Sequence, residues 1–158
     1  MSEKEITERR SFATSNDFFD RAGATIPLAT QTFSKSALQF VKGNAPLFLD
    51  RAKGCSAWDI DGNEYLDFMM GLLPVVLGHA DVDINAAIIE QLDRGITFSL
   101  ATKLETQLAE RLIDLIPSAE MVRYGKNGSD ATSAAIRLAR AYTGRNRIAC
   151  CGYHGWHD

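Results

Sequence analysis

The chain lacks any long apolar run. No stretch of its 158 residues approaches the ~18 apolar residues a membrane span requires. Its first residues, MSEKEITERRSF, are charged and contain no apolar core, so they do not read as a secretory signal, and a cytoplasmic protein is expected. It lacks an excess of basic residues. With 17 Lys and Arg against 20 Asp and Glu, its net charge of -3 is the wrong sign for a phosphate backbone, which argues against a nucleic-acid partner. It has little cysteine: Cys55, Cys150 and Cys151 are odd in number, two are adjacent, and no C-x-x-C occurs. Reduced, partly buried thiols are expected instead of a disulfide framework. Nor is there a Walker loop, a G-x-G-x-x-G fingerprint or a G-x-S-x-G nucleophile elbow.

What is present is the composition of an ordinary folded protein, 46% hydrophobic and 23% charged. The segment SNDFFDRAG predicts a helix with Ser15 and Asn16 as candidate caps and Gly23 as its end. Residues 24–45 have no sustained period, and a loop of that length is often functional. Residues 46–70 read as three short strands turned at Lys53-Gly54 and at Asp61-Gly62, where glycine supplies the positive φ a tight hairpin needs. The DIDGNE run within them has a passing likeness to a calcium loop, but its glycine falls too early and no glutamate closes it.

The period becomes helical from residue 80. Val82, Ala86, Ile89 and Leu92 form one stripe ending at Gly95. Leu104, Leu108, Leu112 and Leu115 form a second, opened by the capping-box pair Thr102 and Glu105 and closed by Pro117. MVRY predicts a strand, residues 130–143 a helix and RIACC another strand. That is a βαβ unit, which implies a parallel sheet. On the helix, Ala131, Ala134, Ala135, Leu138 and Ala139 suit close packing on that sheet. Two predicted strands are few for a covered parallel sheet, so the chain is expected to be the N-terminal piece of something larger.

The loop into that last helix, Gly125-Lys126-Asn127-Gly128-Ser129, lies where ligands bind in such units. Unpaired N–H groups at a helix start, a glycine that admits close approach and a hydroxyl together suit a phosphate. An ordinary cap by Asn127 or Ser129 accounts for the same residues. After the second strand, Tyr153 and His154 reach the same edge, where an aromatic ring can lie on a planar ligand or merely cover the sheet end. His154 and His157 are spaced H-x-x-H, with no third zinc ligand in view.

Three separated segments, PLFLDRAKGCSAWDIDGNEYLDF followed by LGH, then AEMVRYGKNGSDATSAAIRLARAYTGRNRI, then GYHG, resemble the class III aminotransferases. The nearest likeness is to glutamate-1-semialdehyde 2,1-aminomutase-like proteins, over residues 24–158. The resemblance implies an α/β protein: the N-terminal part of a fold-type-I aminotransferase. Residues 1–78 would be an N-terminal segment with small-domain hairpins. Residues 79–158 would begin a cofactor-binding large domain with a mostly parallel sheet flanked by helices. It implies pyridoxal 5'-phosphate as cofactor, with Asn127, Gly128 and Ser129 at its phosphate and Tyr153, beside His154, on its ring.

It also implies an amino donor and a carbonyl acceptor as small-molecule partners, and a homodimeric parent. The family's arginine-bearing Ser-Pro-Val-Arg segment appears here as SKSAL, and Gly71-Leu72-Leu73-Pro74 stands for its Ser-Trp-Gly-Pro, so a substrate other than glutamate semialdehyde is equally open. The family's imine-forming lysine has no counterpart among Lys4, Lys35, Lys42, Lys53, Lys103 and Lys126. No catalytic residue is therefore assigned within this chain. The alternative is an inactive truncated product that binds at most a phosphate or a partner.

Overall fold

The computed structural model describes residues 10–152 and residue 157. Contacts group the chain into two units, Met1–Ile96 and Thr97–Asp158.

The first unit opens with helix α1, Ala13–Gly23. It starts two residues before the candidate caps, and Phe12 at its N-cap position offers no side-chain hydrogen bond. The cap comes from the hairpins instead. Asp61 accepts the N–H of Thr14 at 2.7 Å, the N–H of Ser15 at 2.9 Å and the Ser15 hydroxyl at 2.5 Å. A carboxylate at a helix start meets both the orphan donors and the dipole. The irregular stretch that follows contains two short 3₁₀ turns, Pro27–Ala29 and Phe33–Lys35.

Strands β1 (Leu49–Lys53), β2 (Ser56–Asp59) and β3 (Glu64–Leu66) form an antiparallel sheet in that order, with the turns where glycine placed them. Gly54 has φ 57° and Gly62 φ 87°. Asp59, only 2% exposed, is the polar knot of the hairpin. One of its oxygens accepts the N–H groups of Asp61 and Asn63, and the other accepts the Asn63 amide and the Tyr65 hydroxyl. Burial first, then the bond to Asp59, pushes the Tyr65 hydroxyl up to about 12. Both aspartates of DIDGNE are thus filled by the chain's own donors, which argues against a calcium loop. Helix α2, Val82–Arg94, completes the unit, capped by Asp81 and ended by Gly95 at φ 91°.

The second unit contains helices α3, Lys103–Leu115, and α4, Gly128–Thr143. Thr102 donates its N–H to Glu105 at 3.0 Å, the link the capping-box spacing predicts. The segments expected as strands on either side of α4, residues 121–124 and 147–151, have no ladder partner among the described residues and do not form strands there. A strand is defined by its neighbour, and the three-stranded antiparallel sheet is the sheet found among the described residues.

The predicted apolar stripes form but are not covered. Among the described residues, none on α2, α3 or α4 is buried, the small-residue face of α4 included. Leu138 on α4 is 71% exposed. The three cysteines are free, as expected, but exposed instead of partly buried. No helix of the described residues is long and apolar enough to cross a membrane.

Candidate functional site

The site is built around the amino end of α4. The segment before it is tied to α3 through the Tyr124 hydroxyl, which donates to the Glu105 carbonyl at 2.8 Å. The chain then turns at Gly125 and enters the helix at Gly128.

Asn127 is the N-cap. Its side-chain oxygen accepts the Asp130 N–H at 3.1 Å. Asp130 returns the bond: its Oδ2 accepts the N–H of Asn127 at 3.2 Å and of Lys126 at 3.0 Å. Two donors of the turn are therefore satisfied from within, and the Asp130 carboxylate is drawn back over residues 126 and 127. The ordinary cap is what Asn127 provides. Asp130, which sequence reasoning left without a role, shapes the turn. The N-x-x-D spacing is the signal that could have found it, because the residue three places after a cap reaches back to the cap's own N–H.

The two glycines of the turn differ. A Cβ on Gly125 would stand 2.9 Å from the Asp130 Cβ, so the folded-back carboxylate needs a glycine there. A Cβ on Gly128 would meet nothing within 4 Å. The helix start is thus open on the side of its first residue, at the positive end of a 16-residue helix. A helix start of this kind can hold an anion.

His157 lies against the first turns of α4. Its Nδ1 is 3.3 Å from the Ser133 hydroxyl and 3.9 Å from an Asp130 oxygen. Tyr153 and His154, expected at the ring of a planar ligand, lie outside the described residues. So does the first histidine of the H-x-x-H pair. Among the described residues no group of side chains could hold a metal ion.

Comparison with known proteins gives a consistent result. The family model for Aminotransferase class-III matches residues 39–157. A 3-aminobutyryl-CoA aminotransferase of Cloacimonas acidaminovorans (strain Evry) is 40% identical over 154 residues, covering 97% of this chain and 37% of that protein. A glutamate-1-semialdehyde 2,1-aminomutase of Exiguobacterium sp. is 48% identical over 120 residues, 73% of this chain and 27% of that one. Among solved structures, the FumI protein of Sphingopyxis sp. MTA144 in its PLP internal aldimine form superposes with a TM-score of 0.81 at 36% identity, covering 89% of this chain and 34% of that one. The chain spans about a third of the length of the relatives it matches.

Proposed function

The chain belongs to the class III aminotransferases, whose fold type I it shares over about a third of their length, and on that premise we propose that the whole protein is a pyridoxal 5'-phosphate-dependent aminotransferase or aminomutase. The observation that carries the site assignment is the open helix start at Gly128. In this reading the backbone at Gly128 and the hydroxyl of Ser129 hold the cofactor phosphate. Asn127 fixes the turn as its cap. Asp130 keeps the N–H groups of Lys126 and Asn127 occupied, so they do not compete for the phosphate. Tyr153 covers the cofactor ring, with His154 beside it. When bound, the cofactor supplies an electron sink for proton removal next to the amino group.

The substrates proposed are an amino donor and a carbonyl acceptor. The named relatives act on 3-aminobutyryl-CoA and on glutamate-1-semialdehyde, and the reaction proposed is either amino transfer or an amino shift. A homodimer is proposed for the whole protein. None of the six lysines of this chain is proposed to form the imine. Lys126 stands on the phosphate turn, at the end of the cofactor away from its aldehyde.

The test has two parts. Gly128→Val is expected to weaken pyridoxal 5'-phosphate binding by obstructing the backbone. Ser129→Ala should cost about 1 kcal/mol if its hydroxyl donates to the phosphate. Unchanged affinity in both variants returns the turn to a purely structural role. In the second part the chain is incubated with the cofactor and reduced with borohydride, and labelled lysines are mapped by mass spectrometry. Sparse labelling over several lysines without turnover is expected. Stoichiometric labelling of one lysine, with turnover of an amino donor, would overturn the assignment.

A further inference from the structure

Residues 68–78 contain a run of backbone that L-residues avoid. Met70, Gly71, Leu72 and Leu73 have φ of 48°, 60°, 69° and 81° in succession. Isolated residues visit this region. Consecutive side-chain-bearing residues do so only when their surroundings force them. Gly71 itself is confined, since a Cβ there would stand 3.0 Å from a Val75 methyl. The turn closes on its own carbonyls: Leu72 and Leu73 both donate to the Met69 carbonyl at 2.9 Å, and Val75 donates to that of Met70 at 3.1 Å.

Both ends of the segment are pinned by one pair of side chains. Asp67 Oδ1 accepts the N–H of Met69 at 2.9 Å and of Met70 at 3.0 Å. Asp67 Oδ2 meets His79 Nε2 at 2.6 Å, with both side chains largely shielded from water. The bond to His79 holds the Asp67 carboxyl below its ordinary range, against the opposing effect of burial. His79 is anchored in turn by two backbone hydrogen bonds with Gly54 at the β1–β2 turn, each 2.8 Å. The approach is close enough that a Cβ on Gly78 would crowd the Gly54 carbonyl at 3.2 Å. One carboxylate therefore grips the start of the strained turn and, through the imidazole, its end.

We propose that Asp67 and His79 are a latch on residues 68–78, holding a strained apolar flap that relaxes to a second conformation when the pair is broken. Strain opposes the latch and so lowers the cost of leaving the latched form. The flap carries Met69, Leu72, Leu73, Val76 and Leu77 with their side chains exposed, and relaxation would move that apolar surface as a unit. This inference rests on the geometry of the segment and not on the cofactor reading.

The test is amide hydrogen exchange on the full chain. In His79→Ala the exchange of Met69, Met70, Leu72, Leu73 and Val75 should accelerate by about tenfold or more, while amides of the β2–β3 ladder keep their protection. Adding Leu72→Gly and Leu73→Gly to that variant should restore part of the protection, because glycine takes positive φ without strain. No acceleration in His79→Ala would overturn the latch. Equal acceleration in the β2–β3 ladder would overturn it too, since the pair would then hold the sheet and not the flap. Failure of the glycines to restore protection would show that strain is not what the pair holds.

Discussion

Asn127 and Asp130 exchange hydrogen bonds across the first turn of α4: the Asn127 side chain accepts the Asp130 N–H, and the Asp130 side chain accepts the Asn127 N–H. Each closes a donor that the helix start leaves open, so removing either partner uncaps the other. Asn127→Ala should loosen the first turn by about 1 kcal/mol, read as faster exchange of the Asp130 amide. Asp130→Ala should expose the N–H groups of Lys126 and Asn127 in the same experiment. If the two single variants and the double variant lose protection additively, the bonds are independent and the reciprocal cap is wrong.

The two glycines of the turn give a sharper contrast. Gly125→Ala places a methyl against the Asp130 Cβ and should disrupt the turn. Gly128→Ala meets no atom and puts a better helix former at the first helical position, so helix stability should hold or rise slightly. Cofactor affinity should fall in both, in Gly125→Ala through loss of the turn's shape and in Gly128→Ala through obstruction. Circular dichroism and a pyridoxal 5'-phosphate titration, run together, separate the two causes. A folded, tightly binding Gly125→Ala protein would contradict the steric argument.

What the sequence made legible follows from how local each determinant is. Helices α2 and α3 could be read because the stripe and terminator of each, and the capping pair of α3, lie within one stretch of chain. The hairpins could be read because Asp61-Gly62 fixes its own turn. The start of α1 could not, because its cap, Asp61, is 46 residues from Ser15 in sequence. Residues 121–124 and 147–151 have the composition of strands, but a strand needs a partner and the described residues provide none. At the site, the cap by Asn127 could be read, because it lies next to the helix it opens. The hold of Asp130 on the turn could not be read, because a carboxylate can point out to solvent as readily as back to a cap.

Ser36 is buried to 1% exposure, and its hydroxyl has no hydrogen-bond partner among the described residues. An unpaired buried hydroxyl has lost its water without replacement. Ser36→Ala should therefore leave stability unchanged or raise it, by up to about 1 kcal/mol. Urea unfolding followed by the fluorescence of Trp58, in the same unit, measures this. A clear loss of stability would mean that the hydroxyl makes a bond in solution, with a trapped water as the first candidate.

Asp61 joins α1 to the hairpins, and the junction should be sensitive to acid. Burial pushes its carboxyl up, but the bonds from Ser15 and Thr14 together outweigh burial and leave it below its ordinary value. A carboxyl depressed in the folded state stabilises the fold above the unfolded pKa of about 3.9. That contribution is lost as pH falls further, through the folded value. Exchange of the Thr14 and Ser15 amides, corrected for intrinsic pH dependence, should lose protection below about pH 4. Asp61→Asn cannot ionise, so its protection should be lower at neutral pH and flat through the same window. Ser15→Ala removes only the hydroxyl contact and should shift the wild-type transition to higher pH, toward the ordinary carboxylate value. A transition in Asp61→Asn matching the wild type would assign the acid sensitivity to another carboxylate and remove Asp61 as the cap of α1.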